Sequence, residues 1–293
     1  MKRIALGLAL MMVSAVCGAA EHPALPPGSL MTMRIDGELT IDTAGKVAAY
    51  DIATPLEPAV KQAVDRAVAT WRFSPIIADD RPAQARAGMR ITLAARPVEA
   101  GYAISVDNVT FRDPAGTPEK MLAKREKNAS ISSASMTPPS YPVGIYRSGI
   151  TGQVLLYIRV SPEGKAEDVV AFQSTLFNSS GTEKSLALAR KQLEEASVRA
   201  ARNWRFKVHS EVPANDLTPR DLTVTVPIQY RFDPDPDAPG EWRIEARGAR
   251  AIVPWLVGEA GVRYAGVSDL DANNVQPLSD GFKFVEDPVG KAL

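Results

Sequence analysis

The tripeptide Trp-Arg-Phe occurs twice, as Trp71-Arg72-Phe73 and as Trp204-Arg205-Phe206, and each copy closes an amphipathic run that follows a strand, a Gly-Lys turn and a second strand. Self-similarity on this scale constrains architecture before any site is considered. It predicts one small unit used twice, over residues 31–96 and again over residues 150–232.

The first copy opens with Met31, Met33, Ile35, Gly37, Leu39 and Ile41 alternating with Thr32, Arg34, Asp36, Glu38, Thr40 and Asp42. Period two describes a strand with one face on a core and the other in water. Ala44-Gly45-Lys46 supplies turn chemistry, and residues 47–52 return as a hairpin partner. Val60, Ala63, Val64, Ala67, Val68 and Trp71 then fall on one face of a helix. Pro55 and Pro58 suit its start and Ser74-Pro75 its end. Met89, Ile91, Leu93 and Ala95 supply a last strand.

The second copy repeats this order. Val154, Leu156, Ile158 and Val160 precede the turn Pro162-Glu163-Gly164-Lys165, and residues 169–172 form the return strand. A polar insertion over residues 177–181 leads into a helical stretch expected over residues 183–206. Val224, Val226, Ile228, Tyr230 and Phe232 close the unit. A hairpin, a helix and a strand make an antiparallel sheet with a helix covering one face, so the fold class expected is α+β, with two such units. Trp71, Phe73, Trp204 and Phe206 are read as structural, because a buried Trp removes about 150–250 Å² from water.

The domain plan is a first unit over residues 21–98, a linker with a candidate strand over residues 99–138, a second unit over residues 139–232, and a linker with an extension over residues 233–293. Residues 128–140 are rich in Ser, Pro and small residues and read as a mobile linker. The N-terminus places Met1-Lys2-Arg3 before an apolar run that ends in Cys17-Gly18-Ala19-Ala20, the pattern of a secretory signal over residues 1–20. The run is short of the roughly 20 residues a bilayer span needs. A periplasmic location is therefore expected, with an uncleaved inner-membrane anchor facing the periplasm as the alternative. Lipidation at Cys17 is a third reading, for which Ser14, Ala15 and Val16 fit poorly.

Cys17 is the chain's one cysteine, so a cleaved chain carries no disulfide and no thiol chemistry. Basic and acidic residues number 34 each, which disfavours a nucleic-acid binder. The two histidines, His22 and His209, form no metal-ligand cluster. There is no glycine-rich phosphate loop and no Gly-x-Ser-x-Gly turn. Asp233, Asp235 and Asp237 match the first spacings of a calcium loop, but Ala238 stands where Gly is needed and Ile244 where the bidentate Glu belongs. No catalytic residue, metal or cofactor is expected. What remains is binding through surface shape and backbone.

Residues 139–232 resemble the C-terminal domain of the TonB energy-transducer family. The resemblance is carried by Pro139-Ser140-Tyr141-Pro142, Ile150-Thr151-Gly152-Gln153-Val154, Ser161-Pro162-Glu163-Gly164-Lys165, Ser174, Asn203-Trp204-Arg205-Phe206 and the final strand. Residues 31–96 are similar but lack the Tyr-Pro lead-in and carry the pattern more weakly. In that family the domain receives a short extended peptide from an outer-membrane transporter and couples it to a proton-driven inner-membrane motor. The resemblance implies partner binding by β-strand addition. The surface it implies comprises Ser140, Tyr141 and Pro142 with Thr223, Val224, Thr225, Val226, Ile228, Gln229 and Tyr230, while Gly152 and Gly164 are structural.

Pro227 lacks a backbone donor and belongs on an edge or at a bulge, so this strand is not expected to be central. The short reach from the signal to the first strand favours a soluble periplasmic binding protein. The inner-membrane motor enters as a partner only if the N-terminus is uncleaved, which would make the chain an anchored transducer. A self-associating envelope scaffold, forming a homo-oligomer, is the other alternative.

Overall fold

The computed structural model describes residues 25–26, 28–78, 81–99, 101–112, 129–210, 212–232, 239–259, 264–267, 269–270, 275–278 and 282–293. The expectations for the signal, Cys17, His22 and the Asp233 to Asp237 run lie outside these residues. In chain order the elements are β1 (Ser29–Ile41), β2 (Val47–Ile52), α1 (Pro58–Thr70), β3 (Ile76–Ala78), β4 (Arg81–Ala83), β5 (Ala85–Val98), β6 (Gly101–Arg112), β7 (Ala129–Ser135), α2 (Val143–Arg147), β8 (Thr151–Val160), β9 (Ala166–Phe177), α3 (Glu183–Ala201), β10 (Arg205–Ser210), β11 (Thr223–Tyr230), β12 (Arg243–Arg247) and β13 (Gln276–Pro277).

All nine main strands belong to one antiparallel sheet in the order β13-β11-β8-β9-β12-β1-β5-β6, with β2 also paired to β1. Within it, β1, β2, α1 and β5 follow the same order as β8, β9, α3 and β11, and in each set the last strand pairs with the first on the side away from the hairpin partner. Val60, Val64 and Val68 of α1 pack with Met33, Ile35, Leu39 and Ile41 of β1. Leu186, Ala189 and Leu193 of α3 pack with Val154, Leu156 and Ile158 of β8 and Val224, Val226 and Ile228 of β11. The alternating pattern of each strand thus meets the helical stripe that follows it.

The repeated tripeptide acts as a lock on the hairpin turn, and it does so in both places. Gly45 and Gly164 sit at φ 76° and 84°, the left-handed region where a side chain is strained. A Cβ at Gly45 would lie 1.9 Å from the Phe73 carbonyl oxygen, and one at Gly164 would lie 2.0 Å from that of Phe206. The close approach allows Phe73 N–H to donate to Gly45 O at 2.8 Å and Phe206 N–H to donate to Gly164 O at 2.8 Å. Lys46 bridges Arg72 and Lys165 bridges Arg205 by backbone pairing. Each Arg in turn caps the tryptophan carbonyl before it, Arg72 Nη1 to Trp71 O at 2.7 Å and Arg205 Nη1 to Trp204 O at 2.9 Å. The Trp side chains, 5% and 1% exposed, fill the two cores.

This lock shortens both helices. α1 ends at Thr70, ahead of Ser74-Pro75, with Trp71 already extended at φ −64° and ψ 145°. α3 ends at Ala201 and not at residue 206, because Arg205 starts β10 and Phe206 spends its N–H on Gly164. β10 pairs with β7 over residues 129–135, where composition reads as a mobile linker. A Ser-rich segment with Ile131 half-buried on the core is therefore a strand, held by its partner's ladder and not by its own propensity.

The tail after residue 239 supplies packed elements whose place periodicity does not assign. β12 lies between β9 and β1 and joins the two halves into one sheet. Asn178, in the left-handed conformation at φ 46°, holds it by donating its N–H to Ile244 O at 2.9 Å and accepting Ile244 N–H on Oδ1 at 3.2 Å. Side chains that alternation alone places in water are consequently buried. Thr32 donates to Glu245 at 2.7 Å, and Glu245, 0% exposed, also accepts from Arg243 and Arg247 at 2.8 and 2.7 Å. Arg247 continues to Asp107 at 2.6 Å. Such a network is costly to bury unless every charge finds a partner.

Two further parts of the tail complete the fold. Val253, Leu256, Val267, Leu270 and Leu278 pack against Leu155, Tyr157 and Phe172 on the sheet face opposite α3. Phe284 meets Trp71 edge-on at 5.2 Å and Phe73 at 4.5 Å, while Leu293 N–H donates to Ile104 O on β6 at 3.1 Å.

Candidate functional site

The implied peptide-binding surface centres on β11. Val160 N–H donates to Leu222 O at 2.8 Å, and Leu222 lies opposite Val160 by extension of the register Thr223 to Arg159. In an antiparallel ladder, paired residues alternate between bonding and non-bonding positions. Val224, Val226, Ile228 and Tyr230 therefore direct their backbone groups to β8, and Thr223, Thr225, Pro227 and Gln229 direct theirs to the outer edge. The missing donor of Pro227 thus faces outward and costs the protein's own ladder nothing, as a proline near an edge requires.

The outer edge is occupied over two residues. β13 pairs Gln276 with Thr225 and Pro277 with Val224, and Thr225 Oγ1 donates to Gln276 O at 3.2 Å. Among the described residues, no strand pairs with that edge from residue 226 to residue 230. β11 is next to last in its sheet, in agreement with the expectation from Pro227 that it is not central.

The side chains of this strand are buried on both faces. Val224, Val226, Ile228 and Tyr230 point into the α3 core, and Tyr230 Oη lies 2.8 Å from Ser197 Oγ and donates to Leu193 O at 3.1 Å. Thr223 Oγ1 accepts from Trp255 Nε1 at 2.9 Å, and Gln229 Nε2 reaches Gln153 Oε1 at 3.4 Å. What β11 offers a partner is backbone, together with the half-buried Gln229.

Tyr141 is brought to the end of this strand. Its hydroxyl donates to Ile150 O at 2.5 Å, and its ring stacks on Phe232 at 5.4 Å and meets Tyr230 and Tyr146 edge-on at 5.2 and 5.6 Å. Burial pushes the Tyr141 phenol up to about 12 and that of Tyr230 up to about 12. Pro142 precedes the short α2, whose Ile145 is buried in the core, and Ser140 is exposed. Tyr141 and Pro142 therefore sit by Tyr230, whereas Thr223 lies at the far end of the strand, roughly 20–25 Å away at about 3.3 Å per residue. Tyr146, 56% exposed, and Phe232, 48% exposed, extend an aromatic shelf at the Tyr230 end of β11.

Gly152 and Gly164 have structural reasons for being glycine. A Cβ on Gly152 would fall 2.5 Å from Thr175 O on the neighbouring β9. Thr137, whose carbonyl accepts from Trp204 Nε1 at 2.8 Å, and the β13 segment are the contributors that periodicity alone does not reveal.

The fold is thus a strand-rich α+β arrangement on an antiparallel sheet with helices against it, and over about a third of its length the chain is TonB-like. It is 33% identical over 106 residues to the protein named TonB from Xanthomonas campestris pv. campestris strain B100, and equally to that of strain ATCC 33913. The match takes in 36% of this chain, and this chain spans 40% of the length of those relatives. No family model and no solved structure matches. Among the described residues no helix is long and apolar enough to cross a membrane.

Proposed function

We propose that this chain is a non-enzymatic, periplasm-facing, TonB-like envelope protein that binds an extended peptide by strand addition along the outer edge of β11, in support of TonB-dependent outer-membrane transport. The observation that carries this reading is the edge itself. From residue 226 to residue 230 it has no strand partner among the described residues, and Gln229 presents both a donor and an acceptor along it. An unpaired row of N–H and C=O groups is a template for another chain. Strand addition takes affinity from these groups and specificity from neighbouring side chains, and the shelf of Tyr141, Tyr146 and Phe232 at the Tyr230 end of the strand offers side chains of that kind. The repeated Gly-Phe lock supports reading the first half as a diverged copy of the same unit.

The test is a titration of the full chain with synthetic peptides copying the N-terminal segments of outer-membrane transporters, followed by fluorescence anisotropy. Gln229→Pro deletes an outward donor without altering the helix-facing side chains. Binding at least 10-fold weaker in this variant, with an unchanged far-UV spectrum and with Lys61→Ala on α1 as the control, is the expected result. A peptide that binds both proteins equally would overturn the edge as the site.

A further inference from the structure

We propose that β13 is a resident competitor for the β11 edge, a piece of the chain's own tail that a partner strand must displace in order to pair along the full strand. This rests on the strand-addition reading above. The geometry gives three reasons. First, β13 lies on the outer side of β11 at Val224 and Thr225, the start of the same edge whose continuation over residues 226–230 has no strand partner among the described residues. A partner strand longer than the open stretch runs directly into Gln276.

Second, the pairing is short. Thr225 directs its backbone outward, so the pair Thr225 with Gln276 occupies the bonding position and the pair Val224 with Pro277 the non-bonding one. Among the described residues, the ladder between the two strands comprises that one bonding pair, supplemented by Thr225 Oγ1 on Gln276 O. A partner paired over residues 225–230 meets three outward residues, Thr225, Pro227 and Gln229, against the one that β13 pairs with. Third, the segment is built to stop there. The position of Pro277 turns its missing donor away from β11, so the outer side of β13 lacks a ladder donor there. Leu278, 4% exposed, anchors the segment beside Leu155, Tyr157 and Phe172 on the opposite sheet face. Val275, packed against the α3 core, and Leu278 thus flank the two ladder residues, an arrangement that shields the start of the edge until a partner strand takes it.

The experiment locks and loosens this segment in the full chain. In a Cys17→Ser background, Thr225→Cys with Gln276→Cys places two thiols on directly opposite residues, whose Cα separation of about 4.5–5.5 Å lies within the range a disulfide spans. Leu278→Ala removes the more deeply buried of its two flanking apolar anchors. Each protein is titrated with the transporter peptide that binds the wild type most tightly. The oxidised pair is expected to bind at least 10-fold more weakly than wild type and to recover when reduced, and Leu278→Ala to bind several-fold more tightly. An oxidised pair that binds as the wild type does would overturn the competitor while leaving the strand-addition reading standing. If no transporter peptide binds the wild type, Leu278→Ala or the reduced pair, both readings fall.

Discussion

Replacing Trp204 by alanine is the sharpest probe of what holds the second half together. Trp204 is 1% exposed, lies in the core formed by α3, β8 and β11, and ties the segment before α2 to that core through its Nε1 donor to Thr137 O at 2.8 Å. Burying a tryptophan removes about 150–250 Å², or about 4–6 kcal/mol at about 25 cal/mol per Å², an upper bound set by an extended unfolded chain. Mutational series place Trp→Ala at about 3–5 kcal/mol once the cavity is included, and the lost hydrogen bond adds about 1 kcal/mol. Trp204→Ala is therefore expected to lower stability by about 4–6 kcal/mol, against about 5–15 kcal/mol for a typical native protein. Trp204→Phe keeps most of the packing and is expected to cost about 1–3 kcal/mol. Urea unfolding followed by far-UV circular dichroism measures both. A loss under about 1 kcal/mol for the alanine variant, or equal losses for Ala and Phe, would refute burial as the reason for this residue.

Gly45→Ala and Gly164→Ala each force a left-handed residue and drive a Cβ into a carbonyl oxygen 1.9 and 2.0 Å away, so each is expected to cost more than about 2 kcal/mol. Gly149→Ala, at φ 67° with nothing within 4 Å, is the comparison and should cost only about 1–2 kcal/mol; equal costs at all three would dismiss the close approach as the cause. The native phenols of Tyr141 and Tyr230, at about 12, hold protons that the unfolded chain gives up near about 10. Their contribution to stability is therefore complete below about pH 10 and lost as pH climbs through about 12. Tyrosinate absorbance should show Tyr141 and Tyr230 ionising late, and Tyr141→Phe should reduce the alkaline loss of stability; Tyr141 ionising at its ordinary value would contradict its burial against Tyr230.

The parts of the fold that were legible in the sequence are those governed by local periodicity. Met31 to Ile41 announced a strand through alternation, Val60 to Val68 a helical stripe, and the two Trp-Arg-Phe copies the positions that fill the cores. Periodicity runs past the helix ends because Trp71 and Trp204 continue the apolar spacing after the backbone has left the helix, and what ends it is a hydrogen bond from Phe73 to Gly45 or from Phe206 to Gly164, 28 and 42 residues earlier in sequence. Ala129–Ser135 looks unstructured because its ladder comes wholly from β10. The burial of Thr32, Arg34 and Arg90 was invisible for a similar reason: their cover is supplied by β12 and by Asp269, about 180 residues or more further along the chain. At the candidate site, β11 and the Tyr141 lead-in were legible from motif spacing, whereas the occupation of Val224 and Thr225 by Gln276 and Pro277 was not, since a two-residue strand leaves no pattern.

The most direct test of the central claim is hydrogen–deuterium exchange of the intact protein with and without a saturating transporter N-terminal peptide. Strand addition should slow exchange at the outward-facing Gln229 amide by at least 10-fold, with little change at Val226 and Ile228, whose amides already pair with β8. Saturable binding with no added protection along β11 would contradict it.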